Sequence, residues 1–265
     1  MASTSDPRRF GGLARLYSEA GIEQLKNAHV MVVGLGGVGS WAAEALVRSG
    51  IGHVTLVDGD TVAVSNTNRQ LHALEGNYGR YKAEALAERM RLINPELDLK
   101  IRTDFITPET ADSFIPEDVD WILDCIDDLQ GKASLVAAAH RAGKNIAVSG
   151  GAAARRDPFR LRCAALARVK GDPLLAKLRT MLRKDHGFPR GSLKAGRSSK
   201  FGIPAIFSEE PLNQPKAENC LAIGLSPDTR IGFGSAVMVT ASVGLRLAAI
   251  AINNILGNED IDTRL

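Results

Sequence analysis

Residues 32–60 read VVGLGGVGSWAAEALVRSGIGHVTLVDGD. An apolar run stops at a glycine cluster, an amphipathic stretch follows as far as Gly50, and a second apolar run ends on Asp58. That order predicts strand, turn, helix and strand, the opening unit of a Rossmann-like, doubly wound α/β fold. Gly34, Gly36 and Gly39 satisfy G-x-G-x-x-G directly after the strand, with Gly37 between them. Glycine lets the backbone approach a phosphate closely, and the start of a helix offers unpaired N–H groups carrying partial positive charge. Asp58 stands where it can accept hydrogen bonds from ribose hydroxyls. These features predict an adenine nucleotide and leave NAD and ATP both open.

Working outward, residues 1–12 read as a flexible lead and residues 13–28 as a short helix before the first strand. Downstream, GRYKAEALAERMRLINP is a helix stopped at Asn94-Pro95, and LDLKIRTDF a third strand. VDWILDCIDD is a fourth strand ending on Asp127, LQGKASLVAAAHRAGK a helix, and NIAVSGG a fifth strand. Alternation of this kind gives a mostly parallel sheet with ligands at the strands' carboxyl ends. Past Gly151 the alternation weakens. RDPFRLRCAALARV continues the sheet, DPLLAKLRTMLRKDHGF is a helix, and PRGSLKAGRSSKFG a mobile loop. The 265 residues, 45% hydrophobic, fit one domain spanning 1–265. Its nucleotide-binding core covers about 13–151, and a C-terminal extension over about 152–256 carries a basic helix and loop and an apolar helix.

The net charge of +3 hides an asymmetry: residues 155–200 hold 14 Lys/Arg against 3 Asp/Glu. A basic block on an acidic body suggests a polyanionic partner such as nucleic acid, and a solvated loop is the plainer alternative. Cys125, Cys163 and Cys220 are scattered with no CxxC pair, which excludes a disulfide framework and a four-thiolate zinc site and suits a reducing cytoplasm. The opening MASTSDPRRFGG lacks the apolar run of a signal peptide. Residues 231–256 are apolar but divided by Arg246, so a buried or dimer-interface helix is preferred over membrane association.

DGDTVAVSNTNRQLH separates the two nucleotides. It gathers Asp60, Asn66, Asn68, Arg69 and Gln70 just past the ribose-binding strand, with Lys82 opening the next helix and Asp127 after the fourth strand. A nicotinamide needs an apolar slot, whereas these groups suit a metal-bound triphosphate. Arg69 and Lys82 neutralise phosphate oxygens, Asn66 donates a directional hydrogen bond, and Asp127 holds Mg²⁺. His72 is the one histidine near this set and is read as structural.

GLGGVG…VDGDTVAVSNTNRQ…K…LDCIDD resembles the ubiquitin-activating-enzyme-like (ThiF/MoeB-type) adenylyltransferases. The resemblance implies that Gly34, Gly36, Gly37 and Gly39 bracket the phosphates and that Asn66, Arg69 and Lys82 contact them. It further implies that Asp58 binds the ribose and Asp127 the magnesium. It likens Arg15 to an arginine that reaches the partner's ATP across a homodimer. RFGGLARLY, GDPLLAKLR, FSEE and GFGSAVMVTASVG are similar to the branch of that family that dehydrates threonylcarbamoyladenosine in tRNA, beside the anticodon. This implies an ATP-dependent, adenylating tRNA-modifying enzyme of ligase type. The alternative is adenylation of a ubiquitin-like or sulfur-carrier protein, against which the missing CxxC pairs speak. Thr229, Arg230 and Ile231 stand before Gly232 where some members carry a cysteine, so a sulfur-transfer partner, like the role of Cys220, stays open.

Overall fold

The computed structural model describes residues 6–189, 202–213 and 234–258. Seven strands form one sheet in the order β3-β2-β1-β4-β5-β7-β6. They are β1 His29–Val33, β2 His53–Val57, β3 Asp98–Arg102, β4 Trp121–Asp124, β5 Asn145–Ser149, β6 Leu161–Ala165 and β7 Pro204–Ser208. The helices are α1 Gly11–Asn27, α2 Gly39–Arg48, α3 Lys82–Ile93, α4 Ala111–Phe114, α5 Leu129–Arg141, α6 Pro173–Asp185 and α7 Val237–Ile255.

Side chains alternate across each strand, so the sheet has two buried faces. Val30, Val32, Val54 and Leu56 face a core completed by α2, α3 and α7. Met31, Val33, Val57 and Ile122 face a second core under α4, α5 and α6. Every pair from β3 across to β7 is parallel, and only β6 runs antiparallel. Parallel strands joined through helices bring all the strand-to-helix turns to one edge. Strand order reverses between β1 and β4, where both lead into those turns.

Four expectations need correction. Residues 6–12 are not a flexible lead: Arg9 donates to the Ile93 carbonyl and the Phe10 ring lies against Gly50. The fourth strand stops at Asp124, so Asp127 stands on the loop beyond it. β7 has no counterpart in the sequence reading. It inserts between β5 and β6, and the continuation of the sheet therefore becomes an antiparallel edge. The first helix is broken at Ser18, whose φ is 67°.

The apolar segment folds as α7, the one helix among the described residues long and apolar enough to cross a membrane. It packs instead on α2. A Cβ on Gly244 would stand 2.3 Å from the Val38 carbonyl oxygen, so glycine there permits the close crossing. Arg246 donates to the Leu161 carbonyl at 2.6 Å, tying α7 to β6. Residues 190–201 and 214–233, which include Cys220 and most of the basic loop, lie outside the described residues.

Candidate active site

A cavity of about 870 Å³ opens along the carboxyl edge of the sheet. The glycine turn forms one wall. Gly34 has φ +83°, and a Cβ there would meet the Cys125 carbonyl at 2.8 Å. A Cβ on Gly39 would lie 1.9 Å from the Gly34 oxygen, so any side chain would force the turn open. Gly36 and Gly37 line the cavity and leave bare backbone facing it, while Gly39 sits behind them.

Asp58 holds this turn in shape. Its carboxylate accepts the Leu35 N–H at 2.6 Å and the Asp60 N–H at 2.8 Å. Burial pushes the Asp58 pKa up from its ordinary value; the Lys82 ammonium and these two N–H groups oppose the shift. Lys82, the first residue of α3, is buried, and its Nζ is 2.8 Å from Asp60 Oδ2. Asn66 accepts the Ala63 N–H on Oδ1, which leaves its amide N–H₂ to donate. Arg69 Nη1 donates to the Ser65 carbonyl and to Asn68 Oδ1. Gln70 is 6% exposed, and its Oε1 has no hydrogen-bond partner. Asp127 is exposed at the mouth of the β4–α5 loop.

Asp58, Asp60, Asn66, Arg69, Gln70, Lys82 and Asp127 thus share one cavity. Arg15 does not line it. It is exposed on α1, whose neighbouring contacts, Phe10 on Gly50 and Gly21 on Leu256, lie at the opposite edge of the sheet. Asn68 also turns away, donating to the Ser235 carbonyl at 2.8 Å and so tying the start of α7 to the loop. His72 is buried with both ring nitrogens unpartnered, and burial with the Lys82 charge lowers its pKa to about 4. Cys125 lines the cavity, but burial and the neighbouring Asp124 carboxylate raise its thiol pKa, which unsuits it as a nucleophile.

Two features escaped the sequence reading. Phe105, just beyond β3, is 61% exposed and lays its ring on Gly59, where a Cβ would stand 2.7 Å from it. This exposed aromatic face adjoins Gly59, next to Asp58, and lines the cavity. The rule that ligands gather beyond strand ends could have singled out RTDFITP. The second is a fully enclosed Asp124–Lys132 pair beneath the loop that carries Asp127.

The charge of the lining tests the fit of a nucleotide. Five carboxylates (Asp58, Asp60, Asp104, Asp127 and Asp128) face two cations, Arg69 and Lys82. A triphosphate adds further negative charge and needs more positive charge than this set supplies. A divalent cation on Asp127 and an arginine from outside the protomer would correct the imbalance. The bare Gly36–Gly37 backbone fits the same ligand.

Comparison with known proteins agrees with this chemistry. A model of the ThiF family matches residues 11–262. The tRNA threonylcarbamoyladenosine dehydratase of Haemophilus influenzae is 41% identical over 249 residues, 94% of each chain. The protein of that name from Escherichia coli K12 is 41% identical over 256 residues, again 94% of each chain. A crystal structure of the Escherichia coli dehydratase in complex with ATP superposes with a TM-score of 0.83 at 41% identity, covering 97% of this chain and 98% of the other.

Proposed function

The chain belongs to the ThiF family, and on that premise we propose that it is an ATP-dependent enzyme that activates the carboxylate of threonylcarbamoyladenosine in tRNA and drives its cyclisation with loss of water. The observation that carries the reading is one cavity in which the Asp58 carboxylate, a bare glycine turn and the Asn66–Arg69–Gln70–Lys82 set converge. The close relatives' shared name and the ATP in the solved structure support it.

ATP, when bound, would supply an adenylyl group: the threonyl carboxylate takes it with release of pyrophosphate, so that one carboxylate oxygen leaves with AMP instead of as oxide when the ring closes. The chain's part is positioning and electrostatics. Asp58 accepts from the ribose, Phe105 offers a face to the base, and the glycine turn presents N–H groups to the phosphates. Arg69 and Lys82 oppose negative charge building on the phosphate tail, and Asp127 would hold a magnesium ion that adds to that stabilisation. The attacking ureido nitrogen belongs to the same substrate side chain as the carboxyl. Tethering of this kind contributes about 7–11 kcal/mol, so no protein nucleophile is required.

The tRNA docks, in this reading, through exposed Arg156, Arg160, Arg168, Lys170, Lys177 and Lys184, which hold phosphates without reading sequence. Arg155 has no part in this: it is buried and donates to the Glu210 and Gly171 carbonyls. We also infer a cytoplasmic homodimer in which Arg15 acts on the partner's nucleotide, since its own cavity lies at the far edge of the sheet. Residues 1–265 act as one domain, because β6 and β7 complete the sheet begun by the core.

The test is incubation with ATP, Mg²⁺ and tRNA carrying threonylcarbamoyladenosine, followed by nucleoside mass analysis. The modified nucleoside should lose the mass of one water only when ATP is present. An unchanged mass with folded, ATP-binding protein overturns the assignment.

A further inference from the structure

Asp124 closes β4 and Lys132 stands in the second turn of α5, and both side chains have no exposed surface. Their charges lie 3.0 Å apart, Nζ to Oδ2. Burial pushes the Asp124 carboxyl up from its usual range, and the ammonium opposes that shift. Taking two charges out of water costs several kcal/mol, and an apolar pair of the same volume is often as stable. Stability alone therefore does not account for the pair.

The hydrogen bonds show what else it does. Asp124 Oδ2 meets the ammonium and no other partner. The ammonium also donates to the Ile126 carbonyl at 2.9 Å and, more weakly, to the Asp124 carbonyl at 3.5 Å. Asp124 Oδ1 accepts the Ile126 N–H at 3.1 Å. Both polar groups of the Ile126 peptide are thus held by the pair. One residue past Asp127, the Asp128 carboxylate accepts the Gly131 N–H at 2.7 Å and caps α5. Asp127 stands between two fixed neighbours, exposed at the cavity.

We propose that Lys132 is a positioning residue. Its ammonium clamps the loop before α5 so that Asp127 presents its carboxylate to the cation on the nucleotide tail, and Asp124 is its counter-charge. The inference rests on the reading of Asp127 as the cation's ligand. Loss of either partner alone leaves a buried charge, so the informative variant is Asp124→Asn combined with Lys132→Met, which keeps shape and removes both charges.

Titration calorimetry on the full chain, with ATP in the presence and absence of Mg²⁺, reads the effect. The double variant should bind metal-free ATP within about twofold of the parent. The tightening produced by Mg²⁺ should fall at least about tenfold, as it should in Asp127→Ala. A folded double variant with undiminished tightening, beside an Asp127→Ala protein that loses it, overturns the clamp alone. If Asp127→Ala keeps the tightening, the cation assignment fails and the clamp fails with it. Amide exchange on the parent decides the matter should the double variant not fold. The Ile126 N–H should be slowed about as strongly as those of β4, and exchange at the rate of an open loop overturns the proposal.

Discussion

Replacing Lys82 with methionine isolates its charge from its packing. The side chain is 8% exposed and its ammonium meets Asp60, whose own side chain is 58% exposed. Methionine keeps the buried stem, and a carboxylate that remains wet needs no partner, so unfolding free energy should change by about 1 kcal/mol or less. Nucleotide binding should respond far more. A charge-assisted hydrogen bond to phosphate contributes about 1.5–3 kcal/mol. Without the ammonium, the Asp60 carboxylate faces the phosphates directly; at about 5 Å and an effective dielectric of about 20, that repulsion is about 3 kcal/mol. The sum, reduced by solvent and counter-ions, is about 3–6 kcal/mol, or at least about a hundredfold in Kd. Adding Asp60→Asn to Lys82→Met removes the repulsion and should recover about tenfold or more. Calorimetry with ATP, paired with thermal unfolding, reads both quantities. If Lys82→Met binds ATP within about threefold of the parent, or if Asp60→Asn recovers nothing, the electrostatic account of the site is wrong.

Other perturbations probe separate parts of the site. Phe105→Ala should weaken ATP binding by about tenfold, as expected for a lost stacking face, while inorganic triphosphate binds as before; equal losses for both would remove the base-platform role. Arg15→Ala and Lys82→Met homodimers should each be inactive, and their verified mixed dimer should regain about half the parent activity from one whole composite site. A mixed dimer that stays inactive refutes action across the interface. His72 has a folded pKa of about 4 against 6.5 unfolded. The folded state therefore resists its protonation, and its contribution, complete above pH 6.5, is lost as pH falls toward 4. That loss is on the order of 3 kcal/mol. His72→Leu should flatten the dependence in urea titrations between those pH values, and a parallel acid loss in both proteins would contradict the assignment.

Four of the first five strands were legible as short apolar runs, and β3, DLKIR, by the alternation of Leu99 and Ile101 with charged residues. β7 was not. IPAIFSEE follows a basic loop, and its partners β5 and β6 lie well upstream, so no local period marks its place between them. The end of β4 was misread for a similar reason. LDCIDD looks continuous, and the ladder stops where the neighbouring β1 ends at Val33 and gives way to the glycine turn. In LQGKASL, Lys132 reads as an ordinary surface charge; only the packing of α5 on the sheet encloses it. Arg155 shows the converse, a residue of the basic block that folding takes inside to pair with backbone carbonyls. The cavity-lining polar set was legible since its members come after strand ends in sequence, the position from which topology delivers them to a common cavity. Arg15 follows no strand end, and the role proposed for it needs a second protomer, which neither periodicity nor spacing supplies.

The central claim is that polar groups beyond β2 and β4 enclose a metal-bearing triphosphate. A crystal structure with a non-hydrolysable ATP analogue and Mg²⁺ tests it most directly. The account predicts the ribose on Asp58, the base against Phe105, Arg69 and Lys82 on phosphate oxygens, and the cation on Asp127. A nucleotide bound elsewhere, or bound here with Arg69, Lys82 and Asp127 all turned to solvent, would contradict it.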